Sequence, residues 1–172
     1  KIIDINTKKE TPLEEDGELI ISGPNIMLEY LDEPEETKNT LFQMDGKTWL
    51  HTGDIACVDK RGLFHYKSRL KRMIITSGYN VYPSHVEEIL TNHEAILKCA
   101  VIGIKNESKG EIVKAFIVLR EGYNNLLTKS SIQKYMKENL AKFEIPREIR
   151  YIDDLPTTLV GKIAYKELEK MD

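Results

Sequence analysis

The fold of this chain is decided between Trp49 and Glu88, which reads WLHTGDIACV (49–58), DKRGL (59–63), FHYKSRLKR (64–72) and MIITSGYNVYPSHVEE (73–88). A glycine-supported turn presents the carboxylate of Asp54, and the strand-like run after the Arg61-Gly62 turn delivers a cationic cluster. A second glycine-centred turn then leads into a helix that starts at Pro83. A carboxylate and a guanidinium set at strand ends suit a polar small molecule with hydroxyls and negative charge. This chemistry alone does not name the molecule.

Composition limits the function classes. The 172 residues are 41% hydrophobic and 31% charged, which is enough to bury a core in one domain or two small ones. The net charge of -3, with both signs interspersed, argues against a general nucleic-acid surface. The basic cluster at 67–72 is open to two interpretations from charge alone, a phosphate or RNA patch and a solvated strand end. No run approaches the roughly 20 apolar residues of a membrane span, and no signal peptide is visible.

The two cysteines indicate a reducing compartment. Cys57 and Cys99 lie far apart, in apolar runs and without CxxC spacing, so we expect buried free thiols and a cytoplasmic protein. The four histidines show no spacing typical of metal ligands, so no metal site is assigned. The chain opens at Lys1 in strand-like sequence, which suggests a piece of a longer protein.

Hydrophobic periodicity predicts an α+β fold with helices mixed into a small sheet. We expect helices from Pro34, where acids follow in the first turn, from Pro83, and near the end of the chain. A longer helix is predicted where apolar residues recur at three- and four-residue steps. The predicted helices are 34–41, 83–90, 128–143 and 164–171, and the predicted strands are 1–7, 17–22, 49–59, 63–69, 73–75, 99–104, 111–119 and 148–152.

Four ordered motifs carry a family resemblance. They are Thr52-Gly53-Asp54, Arg69-x-Lys71, the 77–83 segment SGYNVYP and Gly161-Lys162. In this order they resemble the late core motifs of the adenylate-forming enzymes, and the resemblance extends from the GEL run at 17–19 to residue 168. It implies that residues 1–70 are the β-rich end of a large N-terminal domain and that 71–172 form a small mobile C-terminal domain.

The resemblance implies nucleotide-binding roles for two residues. Asp54 would accept hydrogen bonds from both ribose hydroxyls of ATP or an acyl-adenylate, and the donors of Arg69 would reach ribose or phosphate oxygens. The alternatives are a turn-capping aspartate and a surface ion pair.

It also implies roles in motion and chemistry for three residues. Lys71 would be the hinge between two half-reactions, and Gly78 would belong to the loop that lines the channel for coenzyme A. Lys162 would be catalytic, offsetting negative charge while a carboxylate attacks the α-phosphate. Alternatively, Lys71 is simply an exposed lysine and Gly78 is needed only for its turn. The alternative for Lys162 is a lysine in a surface loop. Thr157, Val160 and Tyr165 differ from the residues that are common at these positions in the family.

The sequence therefore favours the C-terminal fragment of an ATP-dependent acyl-CoA synthetase, with a carboxylic acid and CoA as substrates. The phosphate loop, the acidic residue that helps to hold Mg²⁺ and the acyl pocket would belong to the missing N-terminal domain, so we expect the isolated chain to be inactive. Two alternatives stay open, an adenylate-forming enzyme with a carrier-protein thiol as acceptor and a non-catalytic domain that binds a nucleotide or a partner.

Overall fold

The computed structural model describes the backbone of residues 1–123 and 126–171, and the side chains of these residues except 126 and 127. The chain divides into two compact units, Lys1–Lys71 and Arg72–Asp172. The division lies one residue after the predicted boundary. The assignment of these units to a large and a mobile domain stays a prediction.

The first unit is a five-stranded antiparallel sheet around the long strand β4. Strand β2 pairs with β1 and with β4, while β3 and β5 pair with the first and last parts of β4 respectively. Ile3, Ile20 and Trp49 form its buried core. Its elements are β1 (Ile2–Ile3), β2 (Gly17–Ile21), α1 (Pro34–Thr40), β3 (Leu41–Met44), β4 (Lys47–Val58) and β5 (Phe64–Arg69).

The second unit is built on the hairpin of β8 and β9, which pair from Ile96–Leu119 to Asn106–Gly110. Strand β10 pairs with β9 in parallel, and β6 joins β9 at Gly110. The elements are β6 (Ile74–Thr76), β7 (Tyr79–Val81), α2 (Pro83–Thr91), β8 (Ile96–Asn106), β9 (Gly110–Leu119), α3 (Leu126–Asn139), β10 (Glu148–Tyr151) and α4 (Tyr165–Lys170).

Both faces of the β8–β9 hairpin are buried, because successive side chains of a strand point to opposite faces. Val101 and Ile117 face a core that includes Val86 of α2 and Ile132 of α3. The other face carries Ala100, Ile102, Phe116 and Val118, which pack with Leu155 and with Leu168 of α4. The α+β class predicted from the sequence is confirmed.

Three local predictions were wrong. The strand predicted over 1–7 ends at Ile3, because Asp4 Oδ1 accepts hydrogen bonds from the backbone N–H groups of Asn6 and Thr7 and turns the chain. The helix predicted over 128–143 ends at Asn139, where Glu144 Oε2 accepts from Ala141 N in a following turn. Strand β7 lies in a segment that was read as a loop.

The structure confirms the two free cysteines, since Cys57 and Cys99 are both buried and unpaired. Burial, and secondarily the negative charge of Glu87, raises the pKa of Cys99 to about 12. The Cys99 thiol therefore stays protonated at neutral pH, as expected of a packing residue.

Leu168 tests the packing of α4, because its side chain is fully buried against the β8–β9 hairpin. We expect Leu168→Ala to lower the free energy of unfolding of the second unit by about 2–5 kcal/mol, through lost burial and a residual cavity. Leu97→Ala, at a position that is 46% exposed, is the matched control and should change it by less than about 0.5 kcal/mol. Urea unfolding followed by circular dichroism measures both variants. An equal loss of unfolding free energy in Leu168→Ala and Leu97→Ala would contradict this placement of α4.

Candidate functional site

The turn Thr52–Asp54 interrupts the pairing of β4 with β2. Between the pairs Glu18–Ile55 and Ile20–His51, β2 has one residue and β4 has three, so the turn bulges out of the ladder. Gly53 adopts a φ of +67°, a conformation that L side chains rarely adopt. Thr52 Oγ1 donates to the carbonyl of Leu19 (2.6 Å) and accepts from Asp54 N (3.1 Å). The threonine and the glycine thus hold the backbone that presents Asp54.

Glu18 stabilises this turn by accepting a hydrogen bond from its backbone, a role that was not predicted from the sequence. Its side chain is buried; Oε1 accepts from Gly53 N at 3.3 Å, and Oε2 lies 2.9 Å from His51 Nδ1. The ring of His51 stacks on Phe42, with centroids 4.4 Å apart. The available signal was a glutamate two residues before Ile20, on the strand face that alternation predicts to be buried.

Asp54 and Arg69 face each other across the β4–β5 pair. Arg69 Nε lies 3.0 Å from Asp54 Oδ1 as an ion pair, and Arg69 Nη1 donates to the carbonyl of Thr52 at 3.0 Å. Asp54 Oδ1 is buried, and its contact with Arg69 Nε lacks hydrogen-bond geometry, so charge attraction holds this oxygen beside the guanidinium. The Asp54 side chain is 22% exposed, so the part of its carboxylate other than Oδ1 can accept hydrogen bonds from hydroxyl groups of a ligand, next to an arginine side chain that is 58% exposed.

The predicted hinge and loop residues lie in turns. Lys71 is exposed, in the 3-10 turn Leu70–Arg72. Gly78 is exposed between β6 and β7 with a φ of +82°, and the preceding Ser77 also has a positive φ. A Cβ atom built at Gly78 meets nothing within 4 Å. The glycine is therefore required by its backbone conformation and not by a close neighbour in this unit.

Lys162 lies at the end of a small hairpin in the second unit. Thr157 bridges to Ile163, Thr158 N donates to the carbonyl of Lys162 at 2.7 Å, and Lys162 N donates to Thr158 Oγ1 at 3.2 Å. Gly161 completes the turn with a φ of +76°. The lysine side chain is exposed. This arrangement fixes the backbone of Lys162 and leaves its long, flexible side chain exposed to solvent.

Comparison with known proteins identifies the family. Residues 85–162 match the model of the AMP-binding enzyme C-terminal domain. The chain belongs to the adenylate-forming enzymes. It is 40% identical to an octahydro-indenyl-propanoyl:CoA ligase of Mycobacterium tuberculosis over 162 residues, which are 94% of this chain and 31% of that protein.

Two further relatives agree with this membership. The long-chain-fatty-acid–CoA ligase of Bacillus subtilis is 40% identical over 154 residues, covering 90% of this chain and 26% of that protein. The crystal structure of ATP-bound MatB from Rhodopseudomonas palustris superposes with a TM-score of 0.87 at 32% identity, over 99% of this chain and 33% of MatB. The chain therefore spans between a quarter and a third of the length of the relatives it matches.

The roles of the five predicted site residues stay predictions, because the comparisons give no residue functions. Geometry brings Asp54 and Arg69 together, and it places Gly78 and Lys162 in separate turns of the second unit. Among residues 1–123 and 126–171, no three His, Cys, Asp or Glu side chains are grouped so that they could hold a metal ion. None of the helices in this described part combines the length and apolarity needed to cross a membrane.

The support of the turn by Glu18 is testable without a ligand. Glu18→Ala leaves Gly53 N–H without its acceptor, and we expect a loss of about 1–3 kcal/mol in the unfolding free energy of the first unit. NMR hydrogen exchange of the Gly53 amide should speed up in parallel. Glu15→Ala, at an exposed position in the same unit, is the control. Unchanged exchange of the Gly53 amide in Glu18→Ala would show that the turn does not need Glu18.

Proposed function

We propose that the chain is the C-terminal part of an AMP-forming acyl-CoA synthetase. The full-length enzyme joins a carboxylic acid to the α-phosphate of ATP, releases pyrophosphate, and then transfers the acyl group from the adenylate to the thiol of coenzyme A, releasing AMP. The observation that carries the proposal is the Asp54–Arg69 pair, in which a partly exposed carboxylate lies beside an exposed guanidinium. The CoA-ligase names of the relatives support the choice of acceptor.

Asp54 and Arg69 are proposed to hold the nucleotide. A cis-diol offers two O–H donors, and an ionised carboxylate accepts both without needing a proton of its own. The Arg69 guanidinium keeps the carboxylate in place through Nε and, being more than half exposed, retains donors for ribose or phosphate oxygens. Mg²⁺ would be held mainly by residues outside this chain.

Lys162 is proposed as the catalytic cation of the first half-reaction. Negative charge accumulates where the carboxylate attacks the α-phosphate, and an ammonium on a flexible four-carbon stem can reach that centre. The hairpin at 157–163 fixes the point from which it reaches. Lys71 is proposed as the hinge at which the second unit, the mobile domain, turns between half-reactions, and the turn at Gly78 is proposed to line the CoA channel during the second.

The buried thiols support the proposal of a cytoplasmic location. Two buried cysteines without a disulfide fit a reducing environment, so we place the enzyme in the cytoplasm.

The test is ATP–pyrophosphate exchange by the full-length protein with a panel of carboxylic acids. We expect exchange that depends on one class of acid and falls by about 10²–10³-fold in Lys162→Ala, because a charge that stabilises the transition state is lost. Thioester formation from a supplied acyl-adenylate should fall much less. Lys166→Ala, an exposed lysine four residues on, is the matched control and should retain both activities.

Three outcomes would contradict parts of the proposal. Equal slowing of both half-reactions in Lys162→Ala would remove the role of that lysine. ATP–pyrophosphate exchange without thioester formation on coenzyme A would point to a carrier-protein thiol as the acyl acceptor. No exchange with any acid by folded wild-type protein would favour the nucleotide- or partner-binding domain instead.

A further inference from the structure

Glu87, in the middle of α2, receives three donors on one carboxylate oxygen. Its Oε1 accepts from Arg72 Nη2 at 2.6 Å, from Val101 N at 2.9 Å and from the Tyr165 hydroxyl at 3.2 Å. We call Arg72, Glu87 and Tyr165 the Glu87 cluster. Its donors come from three places that are distant in sequence: the turn before β6, strand β8 and the first residue of α4.

The Glu87 cluster has the geometry of a rigid contact rather than a surface ion pair. The Arg72 guanidinium lies 3.6 Å from the centroid of the Tyr165 ring, so it is held by a carboxylate at its edge and an aromatic face against its plane. The side chains of Arg72 and Glu87 are only 25% and 16% exposed. Partly buried charge pairs with several hydrogen bonds are held more firmly than exposed pairs.

Tyr165 stays a donor in this cluster over the physiological pH range. Burial, and secondarily the negative charge of Glu87, raises the pKa of Tyr165 to about 12. The hydroxyl therefore keeps its proton and its hydrogen bond to Glu87. The ring remains neutral beneath Arg72, which favours the cation–π contact.

The cluster lies between the two segments to which the proposal assigns motion and chemistry. Arg72 directly follows Lys71, the proposed hinge, and Tyr165 follows Lys162 by three residues. The Lys162 hairpin ends at Ile163, and Ala164 N donates to the carbonyl of Pro156 just before α4 begins. The cluster therefore joins the first residue after the hinge to the base of the hairpin that carries Lys162.

We propose that Arg72, Glu87 and Tyr165 are positioning residues, which fix the Lys162 hairpin relative to the chain that leaves the hinge. This inference rests on the proposed function of Lys71 and Lys162. With the cluster intact, a rotation at Lys71 moves Lys162 as part of one rigid body. Without it, the hairpin can shift relative to the hinge, and small misplacements of a catalytic group are costly to rate.

The test uses the full-length protein and the variant Arg72→Met, which keeps a long side chain but removes the charge and the donors. We expect the kcat of acid-dependent pyrophosphate exchange to fall by about tenfold to a hundredfold, with the KM for ATP unchanged. Arg72→Lys, which keeps the charge but not the stacked plane, should lie between wild type and Arg72→Met. Lys98→Met is the control, because it breaks an exposed ion pair with Asp154 in the same unit.

A double variant separates positioning from general destabilisation. If Arg72 acts through Lys162, Arg72→Met should cause no further loss of exchange in a Lys162→Ala background. A further loss of the same size in that background would overturn the positioning role. The positioning role would also be overturned if Arg72→Met kept the wild-type kcat while Lys162→Ala abolished pyrophosphate exchange. That result would leave the proposed function intact.

A second measurement does not depend on activity. Hydrogen exchange read by mass spectrometry over residues 157–163 should be faster in Arg72→Met and Glu87→Gln than in wild type and Lys98→Met. Unchanged exchange in this hairpin would overturn the inference by itself. Wild-type protein that folds but shows no pyrophosphate exchange would overturn the proposed function, and hydrogen exchange would then still decide whether the cluster holds the hairpin.

Discussion

The antiparallel pairing of β8 with β9 is the contact on which the second unit depends. It runs the length of both strands and buries side chains on both faces, so one hairpin provides the wall of two cores. Helices α2 and α3 cover one face, and α4 with Leu155 covers the other. Because Glu87 lies on α2 and Tyr165 begins α4, the hydrogen bonds of Glu87 connect elements on opposite faces of this hairpin. That connection is the proposed anchor of the Lys162 hairpin.

The first unit presents a partly exposed carboxylate, that of Asp54, where the pairing of β4 with β2 is interrupted. A regular strand would continue the pairing of β4 with β2 through residues 52–54. The bulge at Gly53 breaks the ladder, and side chains replace the lost backbone partners: Thr52 for the carbonyl of Leu19 and Glu18 for Gly53 N. The result is Asp54, partly exposed and held beside the guanidinium of Arg69.

Much of this arrangement was predictable from short-range sequence signals. Periodicity gave the α+β class, prolines marked the starts of α1 and α2, and the order of four motifs identified the adenylate-forming family. The hairpin of β3 and β4 was missed, although Asp45-Gly46 is the signal of a type I′ turn and both residues have positive φ. The contacts of Glu18 with Gly53 and of Glu87 with Tyr165 join residues separated by 35 and 78 positions. No local pattern encodes such contacts, since they depend on how strands and helices pack.

Asp54 is proposed to bind the ribose hydroxyls of an adenylate, and one thermodynamic cycle tests this role most directly. The affinity of the full-length protein for a non-hydrolysable acyl-adenylate analogue is measured with and without the 2′- and 3′-hydroxyls, in wild type and in Asp54→Asn. Hydrogen bonds to a charged acceptor predict that the dideoxy analogue binds wild type about tenfold to a hundredfold more weakly, and that the loss largely disappears in Asp54→Asn. An equal loss in both proteins would contradict the claim and place the ribose away from Asp54.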